Sequence, residues 1–225
     1  MTFRVGVLVF PGSNCDRDLA VAFDAAGAET QMIWHKDTTL PKGLDLLAIP
    51  GGFSFGDYLR CGAIAANSPV VRAVADFAHS GGHVLGICNG FQILIETGLL
   101  PGALMRNAGL KFLCATEELT VATNNSLFTS QYATGEKVRF PIAHHDGNFI
   151  ADQHTLEKLV GEDRIAFRYS NNPNGSVDDI AGVLSENRRV LGLMPHPERV
   201  IDPIHPGVDG ARLFAGVVNA VFQDT

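Results

Sequence analysis

Paired cysteines are missing from this sequence. Cys15, Cys61, Cys88 and Cys114 stand far apart, with no Cys-x-x-Cys and no histidine at finger spacing. That excludes a zinc finger and leaves a disulfide framework little support in a chain of 225 residues. Long apolar runs are missing too: Val5 to Phe10 stops at Pro11-Gly12, short of a membrane span or a signal-peptide core, so the expected location is cytoplasmic, with no membrane partner. Charge is scarce, at 18% of residues, and the net charge is -7 with no cluster of Lys and Arg to offset it. A nucleic-acid surface is therefore excluded as a reading. There is no Gly-Lys-Ser/Thr loop and no Gly-x-Gly-x-x-Gly opening a helix, which argues against a nucleotide phosphate cradle in this chain. No low-complexity linker divides the chain and no internal repeat is visible, so residues 1–225 are read as one domain.

What is present is core: 46% of residues are hydrophobic, enough for one large α/β unit. Val5 to Phe10 is apolar almost throughout, as in a parallel strand covered on both faces. Asp16 to Ala26 follows as a helix with Leu19, Ala22, Phe23 and Ala26 on one face and Gly27 as its stop. Gln31 to Trp34 and Leu44 to Ile49 are further strands, the latter ended by Pro50-Gly51-Gly52, and Pro69 to His79 is a helix. This alternation predicts a flavodoxin-like, doubly wound and mostly parallel sheet with sites at the carboxyl ends of its strands. Beyond Leu110 the pattern changes. Lys111 to Ala115, Leu119 to Ala122 and Lys137 to Ile142 predict added antiparallel strands at one side of the sheet. Asp152 to Val160 is a short helix, Ile165 to Tyr169, Ile180 to Leu184 and Val190 to Met194 are strands, and Leu213, Phe214, Val217, Val218 and Val221 mark the apolar face of a final helix.

Two stretches carry chemistry. Gly86-Ile87-Cys88-Asn89-Gly90-Phe91-Gln92 ends an apolar strand and starts a helix, with glycine two residues to either side of a cysteine. That spacing suits a nucleophile elbow, where close backbones and a strained turn exclude bulk and the helix N-terminus favours the thiolate. A buried core thiol explains Cys88 alone equally well. In the second stretch, Met194-Pro195-His196-Pro197-Glu198, residues two apart on an extended chain share a side. His196 can then act as base and acid toward a cysteine while Glu198 fixes its tautomer. A third stretch, Pro50-Gly51-Gly52-Phe53-Ser54-Phe55-Gly56-Asp57, offers an N–H of Gly52 or Phe53 to an oxyanion, with the Asn89 N–H as second donor. Phe53, Phe55 and Tyr58 there also suit a docking surface. His35, His79, His83 and His154 are read as solvated or locally bonded, and His205 as a weak site candidate.

Taken together, Gly-Ile-Cys-Asn-Gly-Phe-Gln and the distant His-Pro-Glu resemble the class I, triad-type glutamine amidotransferases. Pro11-Gly12-Ser13-Asn14-Cys15-Asp16-Arg17-Asp18 and Gly51 to Gly62 are similar to one branch of that family, which supplies ammonia for the conversion of formylglycinamide ribonucleotide in purine biosynthesis. The resemblance implies glutamine as substrate, Cys88 as nucleophile, His196 and Glu198 as its partners, and Gln92 with the Gly52-Phe53 loop as substrate contacts. It also implies no cofactor or metal in this chain, a synthetase subunit that holds ATP and magnesium, and a small third subunit. His144-His145-Asp146-Gly147 stands where the family shows His-Gly-Glu-Gly, and no role is assigned to it. Two other readings stay open: a cysteine hydrolase or glyoxalase-like protein with the same elbow, and a non-catalytic regulatory subunit. The first commonly has histidine after the cysteine, where this chain has Asn89, and the second has no need of Cys88, His196 and Glu198 together.

Overall fold

The N-terminal apolar run forms β1 (Arg4–Val9), and the computed structural model, which describes residues 2–58 and 60–220, builds a nine-stranded sheet around it. From β1 the chain passes through α1 (Asp16–Ala25) to β2 (Glu29–Trp34), then to β3 (Leu46–Ile49). A 3-10 turn at Ser54–Asp57, α2 (Cys61–Ala66) and α3 (Pro69–His79) lead to β4 (His83–Ile87), which runs straight into α4 (Asn89–Glu96). There follow β5 (Ala103–Met105), β6 (Leu113–Val121), β7 (Lys137–His144), β8 (Asn148–Ile150), α5 (Gln153–Gly161), β9 (Ile165–Tyr169), β10 (Ile180–Leu184), β11 (Val190–Leu193) and α6 (Ala211–Ala220).

The sheet order is β2-β1-β3-β4-β11-β10-β9-β6-β7. The pairs from β2 to β11 are parallel, and those from β11 to β7 antiparallel. The two halves bury their strands differently. β3 and β11 are buried at every position, whereas β7 alternates buried and open residues, as expected where one face of an antiparallel sheet meets water. β5 and β8 pair as a separate small ribbon.

The expected parallel core and its antiparallel extension are therefore one continuous sheet. Lys111 to Ala115 and Leu119 to Ala122, read as two strands, belong to the single strand β6, which pairs with β7 without a break from Leu113↔His144 to Thr120↔Lys137. Glu117 and Glu118 interrupt the apolar pattern without interrupting the ladder: Glu118 is exposed on one face and Glu117 is half-buried on the other, the face of Leu119 and Val121. The elbow helix starts at Asn89, directly after the cysteine. α6 buries Leu213, Phe214, Val217 and Val218; Val221 lies outside the described residues.

The fold brings together the carboxyl ends of β1, β3, β4 and β11, the crevice where α/β sheets hold their sites. A larger cavity, about 600 Å³ and lined by His79, Leu99, Lys158, Arg164 and Glu186 among others, lies where β4 and β11 begin. It is at the wrong end of the sheet for the elbow.

Candidate active site

Cys88 joins β4 to α4 with φ 53° and ψ -107°, a conformation L residues avoid. Such a position costs about 1–3 kcal/mol and persists only where the surroundings impose it. Here β3 and β11 clamp β4 from both sides, and the Cys88 N–H donates to Leu193 O at 2.8 Å. The flanking glycines permit the packing: a Cβ on Gly86 would strike the Leu94 side chain, and one on Gly90 would strike the Ile49 carbonyl oxygen. The elbow expected from glycine spacing is present. Cys88 is buried, and its thiol reaches Ala143 O at 3.8 Å.

His196 comes to Cys88 from the end of β11. Its N–H donates to Pro141 O at 2.8 Å, and Gly51 leaves the space in which ring and thiol meet, since a Cβ there would lie 2.7 Å from His196 Cε1 and 3.0 Å from Cys88 Cβ. The chain from Pro197 to Arg199 is a 3-10 turn, in place of the extended segment expected, because Pro197 occupies the first turn position its fixed φ suits. The side chains still meet: His196 Nδ1 and Glu198 Oε1 are 2.6 Å apart, with both residues buried. Burial opposes a charged imidazole. The Glu198 carboxylate, which accepts from the ring, and the nearby sulfurs of Cys15 and Cys88 outweigh that penalty and hold His196 well above the ordinary histidine range. Nε2 has no aligned partner among the described residues and remains for proton exchange.

The glycine loop divides the two oxyanion donors suggested for it. The Phe53 N–H donates to Gly12 O at 3.2 Å and is already engaged, which corrects that assignment. Gly52, at φ +119°, packs where a Cβ would lie 2.5 Å from Asn14 N and Oδ1; its N–H has no acceptor among the described residues. The Asn89 N–H, first in α4, has no intrahelical acceptor. Gly52 and Asn89 are therefore the remaining donor pair.

Gln92 is more constrained than a substrate contact requires. Its Oε1 accepts from Asn89 Nδ2 at 2.9 Å and from Cys61 Sγ at 3.0 Å, and its Nε2 donates to Asp146 O at 2.9 Å. One amide N–H is left over. Asn89 Oδ1 in turn accepts from the Ser54 N–H at 2.8 Å, tying the glycine loop to α4. A cleft of about 450 Å³ opens beside this network, lined by Arg60, Cys61, Gln92, Met105, Arg106 and Asp146 among others.

Several residues at the site were not singled out by the sequence. Cys61 is buried and is pushed up by burial and the Asp57 carboxylate, so it keeps its one proton, which Asp57 Oδ1 at 3.1 Å shares with Gln92 Oε1. His144 lies buried beside His196 with Nδ1 3.1 Å from Asn107 Oδ1. Cys15, at the start of α1, places its Sγ within 4.8 Å of a His196 ring nitrogen. Their only prior signal was membership of the quoted motif stretches. His205 is exposed and outside the site, Cys114 is exposed, and Phe55 packs inward against Phe10 and His35.

This geometry can be set against known proteins. A model of the CobB/CobQ-like glutamine amidotransferase domain matches residues 2–212. The chain belongs to that family. Within it, the chain is similar to the phosphoribosylformylglycinamidine synthase subunit PurQ of Cereibacter sphaeroides, with 64% identity over 97% of this chain and 98% of that one. The PurQ of Ruegeria pomeroyi is 62% identical over the same shares. Matches of this extent place it among the PurQ-type amidotransferases. Among solved structures it is similar to a chain of PurLQS from Thermotoga maritima, with TM-score 0.90 and 42% identity over 98% of this chain and all, 100%, of that one. The glutaminase domain of Trypanosoma brucei CTPS, at TM-score 0.64 and 14% identity over 99% of this chain and 94% of that domain, shares the fold.

Proposed function

We propose that this chain is the glutaminase subunit of phosphoribosylformylglycinamidine synthase, acting as a single domain in the cytoplasm. The observation that carries the reading is the buried His196–Glu198 pair, 2.6 Å apart, set against a strained elbow cysteine. The Cys88 thiol gives its proton to His196 Nε2 and the sulfur attacks the side-chain amide carbon of glutamine. The resulting oxyanion is met by the N–H groups of Gly52 and Asn89, donors fixed in place before the charge develops. Collapse breaks the C–N bond, and imidazolium hands its proton to the departing nitrogen, releasing ammonia and leaving a thioester on Cys88. His196 then takes a proton from water, hydroxide attacks the thioester carbon, and glutamate leaves as the thiol is restored. Gln92 lines the cleft through which glutamine approaches.

Ammonia in neutral water is mostly protonated and unreactive, so the product needs a shielded route to its acceptor. A PurL-type synthetase subunit holding ATP and magnesium would receive it and convert formylglycinamide ribonucleotide to the formylglycinamidine, with a PurS-type subunit completing the assembly. The resemblance to PurLQS supports those partners. No metal or cofactor is assigned to this chain. The test is treatment with a diazoketone analogue of glutamine followed by mass spectrometry. One adduct on Cys88, prevented by excess glutamine, is the expected result. Glutamine hydrolysis by Cys88→Ala at the wild-type rate in the complex would sink the reading.

A further inference from the structure

The Pro11–Asp18 stretch takes no part in the chemistry just described, yet it is built into the site. Pro11 O accepts from the Phe55 N–H at 2.7 Å, Gly12 O holds the Phe53 N–H, and Asn14 packs on Gly52. The next residue, Cys15, is buried, and its Sγ, a ring nitrogen of His196 and a carboxylate oxygen of Glu198 all lie within 4.8 Å of one another. Arg199 Nη2 donates to the same sulfur at 3.0 Å, while Arg199 Nε is 3.3 Å from Asp18 Oδ2.

We propose that Cys15 is a positioning residue for the glutaminase reaction, its sulfur and the Glu198 carboxylate holding the His196 imidazole from two sides. This rests on the triad reading above. Three ligand-type atoms so close also suit a metal ion, but Arg199 already brings a positive charge to the sulfur and opposes a cation there. With Arg199 as its donor, Cys15 presents an electron-rich sulfur within 4.8 Å of a ring nitrogen. A ring held on one edge only, by Glu198, can still swing about that bond; a second contact fixes its plane toward Cys88. Small errors in such alignment are costly in rate. The groups that face the imidazole are Glu198 and Arg199 from the turn after β11, Cys15 from the start of α1, Cys88 from the elbow and His144 from β7, with Asp18 acting through Arg199. Of these, Glu198, Cys15 and Cys88 favour imidazolium. Loss of Cys15 therefore lowers the pH at which imidazolium gives up its proton.

The experiment is the pH profile of glutamine hydrolysis by the full chain in complex with its synthetase partner, for wild type, Cys15→Ala and Cys15→Ser. Cys15→Ala is expected to lose about tenfold in kcat with KM within about twofold. Its alkaline limb should move to lower pH. Cys15→Ser, which keeps a smaller acceptor, should recover part of both. A merely structural role would lower activity without moving the limb, so an unmoved alkaline limb overturns the proposal. If Cys15→Ala fails to fold, Cys15→Ser alone decides: a smaller shift of the same sign supports the proposal, and a wild-type profile overturns it. Cys88→Ala, run alongside, separates the two claims, since turnover without Cys88 would remove the triad itself whatever Cys15 does.

Discussion

His196 and His144 are buried neighbours driven in opposite directions. His196 has a carboxylate at 2.6 Å and is raised. His144 has none; burial and the charge of His196 hold it down at about 4. The unfolded chain carries this histidine near its ordinary value of about 6.5, so on acidification the unfolded state takes up the proton first. Its contribution to stability is complete above about pH 6.5 and drains away as pH falls toward 4. Between pH 7 and pH 5 the loss is about 2 kcal/mol. His144→Gln, which can still donate toward Asn107 Oδ1, should remove that portion of the acid slope. Urea midpoints at the two pH values check it: the wild type should fall more steeply than the variant, and parallel slopes would show that another group is responsible.

At the scale of elements, the site depends on how closely α4 lies over β3. Gly90 faces the Ile49 carbonyl with no room for a methyl group. Gly161, at the end of α5, has nothing within 4 Å of a Cβ and no positive φ. The same change, glycine to alanine, should therefore have opposite signs at the two positions. Gly90→Ala should cost about 2–3 kcal/mol by lifting α4 from the sheet, and it should also displace Cys88 and the Asn89 N–H and reduce turnover. Gly161→Ala should be neutral or stabilising by up to about 1 kcal/mol, because it restricts the unfolded chain. Thermal or urea unfolding of both variants tests the contrast, and similar costs at the two sites would contradict it. The elbow and the parallel strands were legible in the sequence because their signals are local: glycines two residues from Cys88, and short apolar runs between helices. His196 and Glu198 were legible for the same reason, although the turn that presents them was not. What was lost depended on distance. Cys15 meets Arg199 across 184 positions, and no spacing rule reports such a contact. β6 was divided because Glu118 on its open face and the half-buried Glu117 on the other break the apolar pattern, while the backbone ladder runs on through both.

The molecule as a whole places a second apolar feature beside its chemistry. Phe53 stacks on Phe112 with ring centroids 6.3 Å apart, and Phe112 meets the edge of His145 at 6.2 Å. Phe53 and Phe112 are 45% and 42% exposed, and nearby Leu110 is 72% exposed. Contiguous exposed apolar surface of this kind marks an interaction site, and its position next to the glycine loop suits a synthetase that must take ammonia from Cys88 without letting it reach water. Leu110 has φ 54°, which asparagine tolerates better than leucine, so Leu110→Asn combined with Phe112→Ser removes apolar surface at little cost to the fold. The double variant should keep its unfolding free energy within about 0.5 kcal/mol. Its affinity for the synthetase should fall about tenfold or more, equivalent to about 1.4 kcal/mol. Because the catalytic groups are untouched, glutaminase turnover at limiting synthetase should drop and then recover at saturating synthetase. Titration of each form with the partner, read by activity and by calorimetry, distinguishes the outcomes. Unchanged affinity would assign docking to a different face, and turnover that stays low at saturation would mean that the patch acts on chemistry as well as on binding.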